Sequence, residues 1–392
     1  MTSPYADLWL LDPAVDYLNH GSFGACPKAI LEKQSELRLE LEREPVDFFI
    51  RALPGHLAEA RAALAGFVGA DGDDLAFVPN ATAGVNAVVR SLAFSPGDEL
   101  LTTDHAYAAC KKALDYSAVR AGARVVVASV PFPLRSEEEV VSAVLSRVTS
   151  HTRLAMLDHV TSPTALIFPI ERLVAELSAR GVDTLVDGAH ALGMIPLDLA
   201  RLDAAYYTAN AHKWLCAPKG AAFLHVRRDR QKGLHPIAIS HGYAGGEARF
   251  KDEFDWTGTS DPTAVLCIPD SIAYLGGLLP GGWPELMATN HALALKARAS
   301  ICGALRLSTQ APESMIGSMA SVALPVSGPT TPARSLGREE LADWMRDRGA
   351  EPWFYDWPAG RGKLVRVSAQ LYNTEGQFVR LASLLAEALR EG

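Results

Sequence analysis

The stretch DTLVDGAH, residues 183–190, is a short apolar run that ends in an acid. A second stretch, AAYYTANAHK at residues 204–213, also starts apolar, and it ends in an asparagine, a histidine and a lysine. Further strand patterns occur at 75–78, 99–102, 124–129, 154–157 and 221–226, and segments with helical spacing of apolar residues separate most of them. This alternation predicts βαβ crossovers and a mainly parallel sheet covered by helices on both faces.

The pattern changes in the last third of the chain. Long helices are predicted at 263–279 and 283–305, and single strands at 321–324 and 364–368 alternate with further helices. Such a mixture is typical of an α+β unit. We therefore predict an α/β protein with an N-terminal segment and a large domain over residues 1–263, and a smaller α+β domain over residues 264–392.

Composition excludes several classes of function. The chain has 392 residues, 48% of them hydrophobic, and a net charge of -8, which argues against a nucleic-acid partner because phosphate binding requires a basic face. The five cysteines lack metal-ligand spacing, so we expect reduced thiols, no metal site and a cytoplasmic protein. We also expect no signal peptide and no membrane partner, because no apolar run approaches the roughly 18 residues of a bilayer span.

Three polar clusters follow predicted strands. NATAG, residues 80–84, lies between a strand and a helix, where backbone N–H groups and the Thr82 hydroxyl favour an anion, although an ordinary helix cap has the same pattern. Asp187 ends an apolar strand, and a helix cap is again the alternative. Lys213 has the apolar neighbours Trp214 and Leu215, and desolvation would make its amine a nucleophile toward carbonyl groups, although a lone lysine is more often solvated.

The three clusters together match one cofactor. The carboxyl ends of parallel strands meet at one edge of a sheet, so an anion cradle, a buried acid and a reactive lysine would share one site. Pyridoxal 5'-phosphate (PLP) needs donors for its phosphate, a carboxylate for its pyridinium nitrogen and a lysine amine for its aldehyde. The sequence therefore predicts a PLP site.

Seven stretches also resemble a known family. They are YLNHGSFGACP (17–27), NATAGVNAVV (80–89), TDHAYAACKKAL (103–114), VDGAHALG (186–193), YTANAHKWLCAPKGAAFL (207–224), DWTGTSDPTA (255–264) and VRVSAQLYN (365–373). By these the chain resembles the fold-type I PLP enzymes of the class V aminotransferase group and, within it, the isopenicillin N epimerase-like proteins.

The resemblance implies a role for each matching residue. Lys213 would hold PLP as a Schiff base, Asp187 would pair with the pyridinium nitrogen, and His190 would bond the ring's O3'. His105 would stack on the ring, with Tyr107 as the nearby alternative. Four residues would hold the phosphate: Ala81, Thr82, Asn210 and His212. Arg366 would bind the α-carboxylate of an amino-acid substrate, with three residues at the mouth of the substrate site: Asn19, His20 and Ser22.

The resemblance also implies a homodimer with shared active sites. The stretch DWTGTS, residues 255–260, reads by itself as a loop and helix cap. In this family a Gly-Thr pair at the matching place reaches the cofactor phosphate of the other subunit. Thr259 is therefore expected to act in trans.

The reaction is left open between several outcomes that share removal of the α-proton. An epimerase or racemase is the leading interpretation, followed by a C–S lyase acting on a cysteine derivative and by an aminotransferase. A non-catalytic PLP-fold binding module is the remaining class, which the full set Asp187, His190, Lys213 and Arg366 argues against. The stretch 347–365 contains no cysteine, so desulfuration through a protein persulfide, as in the related cysteine desulfurases, is not expected.

Overall fold

The computed structural model describes residues 2–243, 250–325, 337–357 and 362–391. Its centre is a seven-stranded sheet in the order β2-β8-β7-β6-β5-β3-β4. Strand β8 runs antiparallel to β2 and β7, and the remaining neighbours are parallel. The strands are β1 (Asp16–Tyr17), β2 (Leu75–Val78), β3 (Glu99–Thr103), β4 (Arg124–Ala128), β5 (Thr152–Asp158), β6 (Asp183–Asp187), β7 (Tyr206–Asn210), β8 (Ala222–Val226), β9 (Met319–Ala323), β10 (Ala350–Glu351), β11 (Trp353–Asp356) and β12 (Lys363–Ser368).

No helix of the described residues is both long and apolar enough to cross a bilayer. Helices cover both faces of this sheet and form much of the second unit. They are α1 (His20–Phe23), α2 (Lys28–Arg43), α3 (Pro45–Asp47), α4 (Leu53–Val68), α5 (Ala81–Ser91), α6 (Ala108–Ala121), α7 (Glu137–Leu145), α8 (Ile170–Ser178), α9 (Leu199–Leu202), α10 (Phe250–Asp255), α11 (Thr263–Leu266), α12 (Ile268–Gly276), α13 (Gly282–Leu305), α14 (Arg338–Arg346) and α15 (Glu375–Glu391).

The apolar strands of the sheet are buried on both faces. Leu154 and Met156 belong to one hydrophobic cluster, whereas Ala155 and Leu157 belong to the other. Successive strand residues point to opposite faces, so a strand buried on both sides has a continuous apolar sequence. Helix α5 packs closely on one face of the sheet. The approach requires a glycine at position 84, since a Cβ on Gly84 would lie 2.2 Å from Thr208 Oγ1.

A smaller sheet organises the C-terminal part. Strands β11, β12 and β9 form it in that order, all antiparallel. The N-terminal strand crosses to this side of the molecule, since Asp16 pairs with Ala350 in a parallel bridge between β1 and β10. The fold class is confirmed: a mostly parallel sheet with helices, and a smaller sheet unit. The boundary at residues 263 and 264 stays a prediction.

Local differences from the sequence expectations have simple causes. Helix α5 begins at Ala81, because the Asn80 side chain accepts the Ala83 N–H, so the expected loop at 80–84 is mostly the first helical turn. The expected helix at 263–279 is two helices, α11 and α12. Ser136 and Glu139 have the residue types and spacing of a capping box, but the Glu139 carboxylate accepts the Arg135 N–H and the Ser136 side chain forms no cap.

Candidate active site

A cavity of about 570 Å³ lies at the carboxyl ends of β5, β6 and β7. This is the edge where parallel sheets present ligands, and the volume is in the usual range for small-molecule sites. It brings together nine predicted residues: Ser22, Ala81, Thr82, Tyr107, Asp187, His190, Asn210, His212 and Lys213. Five others lie outside its lining: Asn19, His20, His105, Thr259 and Arg366.

Two buried carboxyl groups form the middle of the cavity. Asp187 ends β6, and Asp158 ends β5 directly beside it in register. Asp187 accepts hydrogen bonds from the Ala189 N–H at 3.0 Å and from the Cys110 thiol at 3.1 Å. Burial raises the pKa of both carboxyl groups, and the neighbouring Asp187 raises that of Asp158 further. The arrangement gives a cation bound here an acidic partner.

Lys213 lies on the β7 side of these acids. Its Nζ is 3.3 Å from His190 Nε2 and faces the cavity. Burial and the nearby Arg366 charge lower the pKa of Lys213 to about 7. Burial first, and then the Lys213 charge, holds the pKa of His190 well below its usual value. A substantial fraction of neutral amine is therefore present near neutral pH, as a nucleophile toward a carbonyl requires.

The loop that carries Lys213 is fixed from beneath. His20 Nε2 donates to the Lys213 carbonyl at 2.9 Å, and His20 Nδ1 accepts from the Tyr372 hydroxyl at 3.0 Å. The expectation that His20 lies at the mouth of the site is therefore wrong, because both ring nitrogens are used and the residue is fully buried. Gly24 completes the contact: its φ is +70°, and a Cβ there would lie 2.0 Å from the His212 carbonyl oxygen.

One end of the cavity is suited to an anion. It contains the start of α5, with Ala81 and Thr82, and the His212 ring from the β7 loop. The Ala81 N–H is already used, since it donates to Asn210 Oδ1 at 2.8 Å. Thr82 and the amide nitrogen of Asn210 thus remain as donors, next to the positive end of the helix dipole.

Arg366 lies behind the part of the cavity wall formed by Ser22 and Ser162. It is 1% exposed, and its two Nη atoms donate to neutral acceptors: the Ser162 carbonyl and hydroxyl, the Tyr355 hydroxyl, Asn19 Oδ1 and Ser22 Oγ. Among the described residues no carboxylate forms an ion pair with this guanidinium. Buried charges are normally paired, so the site favours an incoming carboxylate at Ser22 and Ser162, which do line the cavity.

The expected stacking role of His105 is wrong. His105 is fully buried, with Nδ1 2.7 Å from Thr164 Oγ1 and Nε2 3.0 Å from the Val130 carbonyl, and its ring packs against Trp357. These contacts hold it beneath the surface of the cavity. The named alternative, Tyr107, lines the cavity and is 43% exposed.

Several cavity residues were missed from the sequence. Asp158 directly follows an apolar strand, as Asp187 does, so the same signal applied to it. Ser162 and Lys219 gave no distinguishing signal. Thr259 is exposed between α10 and α11, and its proposed contact with a second subunit stays a prediction. Residues 358–361 of the cysteine-free stretch lie outside the described residues.

The donor set fits PLP. An anion end, a pair of buried acids and a partly neutral lysine follow one another across the cavity. Two buried polar atoms of its lining, Asp158 Oδ1 and His190 Nδ1, have no hydrogen-bond partner within the described part of the chain. Unsatisfied buried groups are rare in native proteins, so their presence here favours a polar ligand.

Comparison with known proteins decides the family. The family described as Aminotransferase class-V matches residues 52–266. The chain belongs to this family. It is 35% identical to the isopenicillin N epimerase of Streptomyces clavuligerus, over 96% of this chain and 95% of that protein. It is 34% identical to a protein of Oryza sativa subsp. japonica whose name places it among the L-cysteine desulfhydrases, over 97% of this chain and 84% of that protein.

The fold is also that of a solved PLP enzyme. The cystine C–S lyase C-DES superposes with a TM-score of 0.78 at 21% identity, over 95% of this chain and 97% of that one. Another structure of C-DES holds glycine covalently linked to its PLP cofactor. The class V member described here is a PLP-dependent enzyme, and its relatives include both epimerases and lyases.

Proposed function

We propose that this enzyme is an amino-acid epimerase or racemase similar to isopenicillin N epimerase. The supporting observation is the strand order. Tyr107 follows β3 and Lys213 follows β7, while β5 and β6, with Asp158 and Asp187 at their ends, lie between them. Inversion at Cα needs proton carriers on two sides of the substrate, and Lys213 and Tyr107 approach the two acids from opposite sides.

When bound, PLP supplies an imine link to the substrate amine and an electron sink for the charge left at Cα. Thr82, His212 and the Asn210 amide hold the phosphate in this proposal, and Asp187 keeps a proton at the pyridine nitrogen. Arg366 orients the substrate α-carboxylate. The neutral Lys213 amine accepts the α-proton on one side. The Tyr107 hydroxyl, which has no hydrogen-bond partner among the described residues, delivers a proton on the other side.

A C–S lyase is the second candidate. The desulfhydrase relative in Oryza sativa supports it at an identity one percentage point below that of the Streptomyces epimerase. The first step, proton removal by Lys213, would be the same, and the sulfur substituent at Cβ would then leave with the bonding electrons. Transamination is the third reaction that begins in this way.

Incubation of the PLP-loaded enzyme with single enantiomers of amino acids in deuterated water separates these reactions. An epimerase gives both enantiomers, with deuterium at Cα of the inverted product. A lyase releases sulfide and a 2-keto acid from cysteine, and an aminotransferase gives a keto acid with sulfur retained. Sulfide release from cysteine without inversion of any amino acid tested would overturn the epimerase proposal in favour of the lyase.

Shared active sites in a homodimer are part of the proposal. Thr259 is exposed and does not line the cavity of its own chain. A hydroxyl from a second copy would add a donor to the anion end, next to Thr82 and His212.

A further inference from the structure

Asp158 is the second carboxyl group of the cavity. It ends β5, and its Cα partner in the sheet is Asp187 at the end of β6. Both residues are 2% exposed. Two ionised carboxylates at partner positions of neighbouring strands repel each other, and burial adds a desolvation cost for each charge. The pair is therefore expected to carry one negative charge and one proton.

The hydrogen bonds of the two carboxyl groups differ. Both oxygens of Asp187 accept, Oδ1 from the Ala189 N–H and Oδ2 from the Cys110 thiol. In Asp158, Oδ2 accepts from the Tyr107 N–H at 3.2 Å, but Oδ1 is buried without a partner in the described parts of the structure. A charged oxygen without a donor is costly, whereas a protonated one is itself a donor.

The surroundings of Asp158 also favour its protonated form. Five groups face it: Asp187 on β6, Lys213 after β7, Tyr107 and Cys110 at the start of α6, and the Ser162 backbone N–H in the loop after β5. Burial first, and then the Asp187 charge, raises the pKa of Asp158 well above the usual range, against smaller opposite effects of the Tyr107 and Ser162 backbone N–H groups and of Lys213. The pKa of Asp187 is also raised by burial, but its two donors favour the charged form.

We propose that Asp158 is an uncharged carboxylic acid that donates a hydrogen bond from Oδ1 to an acceptor atom of the group bound in the cavity, while Asp187 carries the negative charge. The two neighbouring acids thus have different tasks. Asp187 stabilises a protonated pyridine nitrogen, and Asp158 contributes a neutral donor, as carboxylic acids kept protonated by apolar surroundings do elsewhere. The inference rests on the PLP site and holds for an epimerase or a lyase alike.

The protonation state is tested without turnover. Infrared spectra of the PLP-free protein at neutral pH are compared between wild type, Asp158→Asn and the double variant Asp158→Asn/Asp187→Asn, because loss of Asp187 alone would also lower the pKa of Asp158. Subtracting the Asp158→Asn spectrum from that of wild type should leave the band of a protonated carboxyl group, and subtracting the double-variant spectrum from that of Asp158→Asn should leave the carboxylate bands of Asp187. A carboxylate signal from Asp158, or the reverse pattern, would overturn the proposal.

The donor role is tested with a second pair of variants. Asp158→Asn keeps a neutral N–H donor, whereas Asp158→Ala has none. We expect PLP affinity to fall by roughly tenfold in Asp158→Ala, the free energy of about one hydrogen bond, and to fall less in Asp158→Asn. If only the KM for substrate rises in this order, the acceptor belongs to the substrate and not to PLP.

The folded state of each variant is checked by circular dichroism and thermal melting before binding is measured. Equal PLP affinity and equal KM in Asp158→Ala and wild type would show that Oδ1 donates to neither, and would refute the proposal. Equal loss in Asp158→Asn and Asp187→Asn, by PLP absorbance and by turnover, would also refute it, because Asp158 would then act as a charge.

Discussion

The two halves of the active site are built differently. The cofactor half consists of Thr82, Asp187, His190 and Lys213, which follow strands of one parallel sheet. The carboxylate half centres on Arg366, which bonds to Asn19 across 347 positions of sequence and to residues of both units. The first half is assembled at one edge of the large sheet. The second exists only where the N-terminal segment, the large sheet and the small sheet meet.

The charges of the two halves differ as well. Acidic and basic groups lie together in the cofactor half, and the partly buried lysine there can lose its proton. In the carboxylate half, one buried guanidinium is surrounded by neutral acceptors. The cofactor half is thus suited to reactions that move protons, and the carboxylate half to holding a fixed anion. A substitution in one half should therefore leave the other half intact.

The largest effect is expected from Lys213→Ala. Without this amine no Schiff base between the protein and PLP forms, so the borohydride-reducible link to the chain and the turnover should both disappear, while the Arg366 contacts remain. Mass spectrometry of the reduced wild-type protein locates the link. Lys219→Ala is the matched control, because Lys219 lines the same cavity but donates to the Gly24 carbonyl. A reduced adduct on Lys219 would contradict the assignment.

This difference in construction explains what the sequence could predict. Lys213 and Asp187 were found because polar residues that follow apolar strands gather at one edge of a parallel sheet. The carboxylate half has no such local rule. Ser162 bonds Arg366 across 204 positions of sequence, and Tyr355, 11 positions away, lies beside it only because β11 pairs with β12. Neither was assigned to Arg366. The sequence alone cannot choose between His105 and Tyr107, because a single residue separates the buried ring from the exposed one and the difference depends on packing under the loop.

A smaller and more selective effect is expected from Arg366→Lys. The charge remains, but the bidentate geometry is lost, so KM should rise by roughly ten- to hundredfold, the equivalent of about one charged hydrogen bond. PLP absorbance should be unchanged. Arg298→Lys is the matched control, since Arg298 is also buried and its Nη1 donates to the Ala311 carbonyl, away from the cavity. Loss of PLP binding with normal KM in Arg366→Lys would make this arginine structural.

A partial effect is expected when subunits are mixed. If Thr259 acts in trans, a hybrid of Thr259→Ala and Lys213→Ala subunits has one intact site and one with both lesions. With random exchange, half the dimers are hybrids with one good site, so activity should recover to about a quarter of wild type. Each parent must first be shown to be nearly inactive. Confirmed hybrids without recovery, or a fully active monomer in sedimentation, would exclude shared sites.

The lowered pKa of Lys213 should also make the stability of the protein depend on pH. Burial lowers the pKa of Lys213 from 10.5 to about 7 in the folded PLP-free protein. Between these values the unfolded chain binds a proton that the folded protein lacks. Stability from this group therefore rises with pH, by at most about 1.4 kcal/mol per pH unit. Below pH 7 both states bind the proton and the cost of burying the charge is constant.

Lys213→Met removes this titration. At a fixed protein concentration, its advantage over wild type in the free energy of unfolding should be largest below pH 7 and should shrink steadily toward pH 10.5. Urea unfolding of the PLP-free proteins at several pH values measures it. Lys219→Met is the control, because it removes a lysine that lines the same cavity but is exposed. A constant difference for Lys213→Met would mean that the amine keeps its proton on folding. The cofactor half would then hold a fixed charge, as the carboxylate half does, and the contrast between the two halves would fail.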